Sequence, residues 1–370
     1  MTSIEDQISA QPQSSRPRNF ARFAHFAHSN PQSKMTGIFT YRHFSLGNIP
    51  MLTGRVAVVT GGQAGIGKEI TTQLLLHDIE KVIIIARSED KYITACEEWR
   101  HRKGISLEKD TRAEFVKCDL GDIQDVKAAV EKIQQITDRI HILVCNAAIS
   151  VQNECKRSPQ KIERVFATNC VGHQVLTTSL LPLLKNGVAH SNDARIVVTS
   201  SSFHFWCQQL DLDLLFSSSR VKWPTLYDGI WRYGRSKLGN ILFAKELSRR
   251  LLDDEDPASK QIYVNSFFPG NIVTDQWLGW DSYFGRFPGW LIRAAGSWLG
   301  QSLEDGAATA LYLATSQEVR EQNHRAQYFI PIATLCEPSV ISRDMKLARE
   351  LWDWIDAQAT ETLGFDWQYQ

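Results

Sequence analysis

The stretch Arg55-Val56-Ala57-Val58-Val59-Thr60-Gly61-Gly62-Gln63-Ala64-Gly65-Ile66-Gly67 joins a short apolar run to a glycine-rich turn that leads into a helical pattern. The run has the length and β-branched content of a buried strand. Gly61, Gly65, Ile66 and Gly67 then stand where a tight turn opens a helix, the context in which a glycine pattern reads as a phosphate cradle. Glycine lets backbone approach a pyrophosphate, and free N–H groups at a helix start favour its negative charge. An ordinary glycine-rich turn explains a lone match equally well, so the rest of the chain has to decide.

Downstream, apolar runs at 55–60, 81–86, 113–118, 140–145, 195–200, 261–267 and 327–330 alternate with amphipathic stretches at about 65–77, 90–100, 123–137, 162–184, 231–252, 304–314 and 339–357. Such alternation predicts an α/β fold: a doubly wound parallel sheet of about seven strands with helices on both faces, Rossmann-type, in a single domain. Two segments interrupt it, 203–230 and 271–303, and both leave from carboxyl ends of strands, where an open parallel sheet binds its ligands. Long insertions of this kind read as binding loops or lids.

The 370 residues carry 41 Lys plus Arg and 41 Asp plus Glu, so no global field attracts nucleic acid, and a small neutral partner is expected. Seven scattered cysteines show no metal-ligand spacing and read as reduced thiols. No apolar run reaches bilayer-spanning length. Residues 1–50 hold acids only at Glu5 and Asp6 and are rich in Ser, Gln, Arg, Phe and His, which predicts a disordered arm ahead of a functional domain at 51–370. The expected location is cytoplasmic, with organelle targeting by the arm left open. The oligomeric state is not legible.

The second strand ends Ile85-Ala86-Arg87, with a guanidinium where an NAD-preferring site places an acid for the ribose 2′-hydroxyl. Arg87 can pair with a 2′-phosphate, so NADP(H) is expected ahead of NAD(H). Asp119 and Leu120, after the third strand, are candidates for the adenine edge, and Asn146 with Ala147, after the fourth, for the backbone beside the ribose; each alone reads equally well as a turn former.

Tyr233-Gly234-Arg235-Ser236-Lys237 supplies the chemistry. A tyrosine pKa of about 10 is too high for work near neutrality. Lys237, one helical turn on, lies on the same face and is expected to draw that pKa down while holding a cofactor ribose. Thr199-Ser200-Ser201-Ser202, at the end of the fifth strand, offers hydroxyls to polarise a substrate oxygen.

Together these residues resemble the short-chain dehydrogenase/reductase family from Thr53 to about Ala357: the glycine turn, Asp119-Leu120, Asn146-Ala147-Ala148, Asn169, the serines, Tyr233 and Lys237, and Pro269-Gly270 with Ile272 and Thr274. Leu143-Val144-Cys145-Asn146-Ala147-Ala148, Arg235-Ser236-Lys237-Leu238-Gly239-Asn240 and Asp305-Gly306-Ala307-Ala308-Thr309 are most similar to the branch of retinol dehydrogenases and WW-domain-containing oxidoreductases, here without a WW domain. The resemblance implies that Ser201 binds the reacting oxygen, Tyr233 exchanges its proton, Lys237 tunes Tyr233, and Asn169 supports a water relay to Lys237. Ser200 and Ser202 remain alternatives within one register step. Pro269, Gly270, Ile272 and Thr274 would complete the cofactor site. Ala148 stands where many members have Gly, and Phe268 replaces a His, departures that bear on substrate shape.

The expected reaction is NADP-dependent interconversion of a carbonyl and an alcohol. Trp206, Trp223, Trp231, Trp277, Trp280, Tyr283, Phe284, Phe287, Trp290 and Trp298 crowd the two insertions, which suits a small lipophilic or aromatic substrate and leaves open a peripheral membrane contact through 277–299. The rival classes are a catalytically silent nucleotide-binding scaffold and a nucleotide-sugar epimerase-type isomerase.

Overall fold

The computed structural model describes residues 42–105, 112–216, 226–272 and 301–368. Among them, β1 (Val56–Thr60), β2 (Lys81–Ala86), β3 (Ala113–Lys117), β4 (Ile142–Cys145), β5 (Ala194–Thr199), β6 (Ile262–Phe267), β7 (Tyr328–Ile330) and β8 (Thr334–Cys336) form one sheet. Its order is β3-β2-β1-β4-β5-β6-β7-β8, parallel except for the last pair. Every residue of β1, β4, β5 and β6 is buried, so these strands read as continuous apolar runs rather than alternating ones.

Helices cover both faces. On one, α1 (Gly65–Leu76) and α2 (Glu89–His101) bury Ile70, Leu74 and Trp99 with the even side chains of β2, Val82 and Ile84. On the other, α3 (Ile123–Ile136) and α4 (Gly172–Ser179) share a core with Val56, Val58, Ile83 and Ile85. Next along the chain come α5 (Leu181–Ser191), α6 (Leu226–Asp253), α7 (Leu303–Thr315) and α8 (Met345–Leu363). The odd and even residues of each strand therefore feed two separate cores, as a period of two requires.

The expected strands recur within one or two residues of their predicted ends, and the differences have local causes. β8 is added: three residues, paired antiparallel through Phe329 and Leu335, too short to show a period. The helix predicted at 162–184 is divided into an α turn Arg164–Phe166, a π segment Ala167–Val171, α4, and α5, which starts next to Pro182. The last helix starts at Met345 rather than near 339, because the Asp344 carboxylate accepts from the amides of Lys346 and Leu347 and caps it there. The boundary predicted at 51 also falls inside packed structure. Phe44 and Ile49 are buried, Phe44 meets Tyr312 edge-on, and the His43 amide donates to Ile332 O, so the packed chain extends to at least 43.

Chain direction across the sheet reverses between β1 and β4, whose register pairs Val58 with Leu143. A crevice opens beyond the carboxyl ends at such a switch point. Residues that follow β1, β2, β3, β4, β5 and β6 line it.

Candidate active site

A cleft of about 1110 Å³ runs from Arg87 past the glycine turn to Ser201, Tyr233 and Gly270. At its nucleotide end the Thr60 hydroxyl stitches the two central strands. Thr60 Oγ1 accepts from the amides of Asn146 (2.8 Å) and Ala147 (2.9 Å) and lies 2.9 Å from His173 Nε2. His173 Nδ1 is 3.0 Å from Asn169 O. A carbonyl can only accept, so Nδ1 carries the hydrogen and Nε2 is an acceptor for the Thr60 hydroxyl, which also lies 3.3 Å from Val144 O. Burial keeps this imidazole neutral, with its pKa down to about 4. Asn146 Nδ2 closes the stitch on Thr60 O at 3.1 Å.

Gly61 and Gly65 have φ of +68° and +54°, which L side chains resist. A Cβ on Gly67 would lie 2.2 Å from Gly61 O and 2.6 Å from Asn146 Nδ2. Turn, helix start and β4 end thus approach as closely as only glycine permits, and the resulting cradle with its helix amino terminus fits a pyrophosphate. Arg87 lies exposed on the rim of the cleft. Leu120 lines the same end. Burial opposes ionisation of Asp119, but its hydrogen bonds to Arg164 and the Gly121 amide outweigh this and hold the carboxyl below its ordinary range. The carboxylate therefore fixes its own loop besides facing the cleft.

At the catalytic end the three serines part ways. Ser200 Oγ donates to Lys237 O (2.8 Å), Ser202 opens a 3-10 turn Ser202–Trp206, and Ser201 lines the cleft wall together with Tyr233. The turn is held by His204, whose Nδ1 lies 2.6 Å from Ser201 O while Nε2 accepts from the Ser339 amide at 3.1 Å. Burial again keeps the ring neutral, with its pKa down to about 4.

Tyr233 and Lys237 sit one turn apart on α6, the Lys237 Nζ 5.6 Å from the Tyr233 ring centroid. The expected downward pull on the phenol is not what this arrangement gives. Burial pushes Tyr233 up to about 12, with the Ser201 hydrogen bond opposing. Tyr233 is half-buried and lines the cleft. Lys237 is driven down to about 8 by burial, and its Nζ donates to Thr199 O at 3.1 Å instead of to the phenol.

Asn169 lies in the π segment, a helical irregularity that recurs at functional sites. Its amide clamps the Ile149 backbone from both ends, Nδ2 to Ile149 O (2.9 Å) and Ile149 N to Oδ1 (2.8 Å), and also reaches Ser236 Oγ (3.0 Å). Pro269, Gly270 (φ +100°) and Ile272 line the cleft below β6, whereas Thr274 and most of the second insertion lie outside the described residues. Thr60, His173 and His204 were not singled out from sequence as functional. His173 could have been found as the residue four beyond Asn169 on one helical face.

Residues 55–206 match the family model for short chain dehydrogenase. A short-chain dehydrogenase/reductase of Armillaria gallica is 31% identical over 320 residues, covering 86% of this chain and 94% of the relative. The chain belongs to the short-chain dehydrogenase/reductase family. A WW domain-containing oxidoreductase of Gallus gallus is 31% identical over 323 residues, covering 85% of this chain and 70% of its own. That likeness bears out the branch expected from the Asn146 and Lys237 motifs. Among solved structures, the Pseudomonas aeruginosa RhlG/NADP active-site complex superposes with a TM-score of 0.55 at 21% identity, over 75% of this chain and 95% of that one, which shows the shared fold. The chain is thus an oxidoreductase of a family that uses a nicotinamide cofactor. Among the described residues no helix is long and apolar enough to cross a membrane.

Proposed function

We propose that this dehydrogenase/reductase interconverts a carbonyl and an alcohol on a small lipophilic or aromatic substrate, with NADP(H) as cofactor. The observation that carries the reading is that Ser201 and Tyr233, with Lys237 one turn further along the same helix, line the wall of the same cleft as the glycine cradle. NADP(H) bound along that cleft would supply or accept the hydride. The exposed guanidinium of Arg87 on the rim, with no acid at that position, supports the NADP(H) preference.

The Ser201 hydroxyl donates to the substrate oxygen, and Tyr233 gives its proton to that oxygen in reduction or takes it in oxidation. A neutral phenol, kept so by burial, is a competent donor. Lys237, near its titration point at neutral pH, replenishes the proton and steadies the developing phenolate. Apolar surroundings support the proposed substrate class. Val151 and Ile230 are buried against Phe203 and Tyr233, and the Phe203 ring meets Tyr233 edge-on at 5.7 Å and stacks towards Trp206.

The test is NADPH consumption, with product analysis, over a panel of isoprenoid aldehydes, aromatic ketones and quinones, and the reverse reaction with the matching alcohols. Loss of turnover in Tyr233→Phe with NADPH still bound is expected. Turnover surviving in that variant would overturn the proton-transfer role, and equal use of NADH would overturn the cofactor assignment.

A further inference from the structure

Beside the catalytic helix lies an ionic cluster that the reaction does not use. Glu163 is 1% exposed, Arg232 and Arg235 are fully buried, and these arginines flank Tyr233 in sequence on α6. Glu163 Oε1 accepts the Val165 amide (2.9 Å) and Arg232 Nη1 (3.3 Å), while Oε2 accepts the Phe166 amide (3.1 Å) and lies 3.6 Å from Arg235 Nη2. A single carboxylate therefore caps the helical turn leading to Asn169 and lies between Arg232 and Arg235, while Asp228 supplies a second negative charge at Arg232.

The cluster extends to two walls of the site. Arg232 donates to Gln152 O (2.8 Å) and Glu154 O (3.2 Å), just past the Ile149 backbone that Asn169 clamps, and to Asp228 (2.9 Å). Arg235 donates to Leu214 O (3.3 Å), and the Glu163 amide donates to Leu215 O (2.7 Å), in the segment that follows the Ser201 turn. The contacts close a ring: Tyr233 helix to Glu163, Glu163 to the Asn169 helix, Asn169 to Ile149, and 152–154 back to Arg232.

Such an arrangement is costly. Buried ions lose hydration, and removing one partner leaves an uncompensated charge in the interior. A polypeptide that needed only stability would be served as well by apolar side chains. What the ring provides is registration of the Tyr233 helix with the Asn169 helix and with the 149–154 wall of the cleft. We infer that Glu163 and Arg232 are positioning residues: they hold the Tyr233 hydroxyl in register with Ser201 and Asn169, and so set the rate of proton transfer without touching substrate or cofactor. The inference rests on the Tyr233 role proposed above.

The test uses the full chain, NADPH and the carbonyl of the panel that wild type turns over fastest. Glu163→Gln keeps one acceptor and the shape but removes the charge; Arg232→Lys keeps the charge and loses the fork to the 152–154 carbonyls. Active sites are counted by NADPH binding. Expected is a fall in kcat per NADPH-binding site of about tenfold or more in each, since small misplacements cost this much. KM and the NADPH Kd should stay near wild type, and Glu163→Asp should recover part of the loss. If either variant folds and binds NADPH with unchanged kcat per site, while Tyr233→Phe is inactive, the positioning role is overturned and the Tyr233 role stands. If Tyr233→Phe is itself active, or wild type reduces no member of the panel, the underlying reading falls and this inference with it.

Discussion

Replacing Lys237 by Met should make the apo protein more stable near neutrality while abolishing its chemistry. Lys237 is fully buried, and its pKa of about 8 lies below the ordinary 10.5 because burial penalises the ammonium. At pH 7 the folded chain must carry that ammonium in the interior, whereas the unfolded chain hydrates it. A depression from 10.5 to about 8 is worth about 3 kcal/mol at pH 7 and about 1 kcal/mol at pH 10. The sign is set by proton counts: between the two pKa values the unfolded chain binds more protons, so wild-type stability rises with pH through that window. Methionine has nearly the same length, and Thr199 O keeps Asn240 Nδ2 as a donor at 2.9 Å, so no buried carbonyl is orphaned.

The assay is urea unfolding of cofactor-free wild type and Lys237→Met at pH 7 and pH 10. The gap between them should favour the variant by up to about 3 kcal/mol at pH 7 and narrow by about 2 kcal/mol at pH 10. A gap that does not change with pH would refute the claim that burial holds Lys237 near its titration point. Carbonyl turnover, measured on the same samples, should be lost at both pH values.

Other expectations concern neighbouring residues. Ser201→Ala should lower kcat by about a hundredfold, the usual cost of one oxyanion-type donor, while Ser202→Ala stays near wild type; reversal of that order in steady-state kinetics would move the role to the other serine. Arg87→Ala should raise the NADPH Kd by about tenfold and leave that for NADH unchanged, as read by fluorescence titration. His173 and His204 are buried neutral with pKa values of about 4 against an ordinary 6.5, so each contributes stability that is lost as pH falls from 6.5 towards 4; His173→Gln should flatten that part of a pH–stability curve, and an unchanged slope would count against the Thr60–His173 pairing.

Much of the fold was legible because its signals are local. A parallel strand buried on both faces shows as an apolar run, and a helix beside it shows a period, so seven strands came out in order with ends off by one or two residues. β8 did not, since three residues carry no period and their pairing depends on the turn after Ile330. In the site, the Tyr233–Lys237 spacing and the glycine turn are readable because their partners lie within one turn of chain. The identity of the serine is not, because Ser200, Ser201 and Ser202 differ only in what each meets across the fold. Glu163 and Arg232 lie 69 residues apart, and nothing local pairs them.

The sharpest disagreement between sequence reasoning and structure is the direction of the Tyr233 shift, and it bears on how the site works. A lysine four residues away suggests a lowered phenol, but proximity along a helix says nothing about how deep the pair lies. Burial acts on both groups at once, raising the phenol and lowering the amine, so each is pushed toward its neutral form. Of the two, the phenol keeps its proton and the amine is the one brought close to physiological pH. In the reaction proposed above, proton supply to the reacting oxygen would then be divided: Tyr233 would deliver, and Lys237 would be the member able to exchange with its surroundings at modest cost. Such a division makes geometry the limiting quantity, because a donor whose pKa lies well above the working pH contributes only when its hydroxyl is already in line with the acceptor. The buried ring through Glu163 and Arg232 is the part of the molecule built to hold that line.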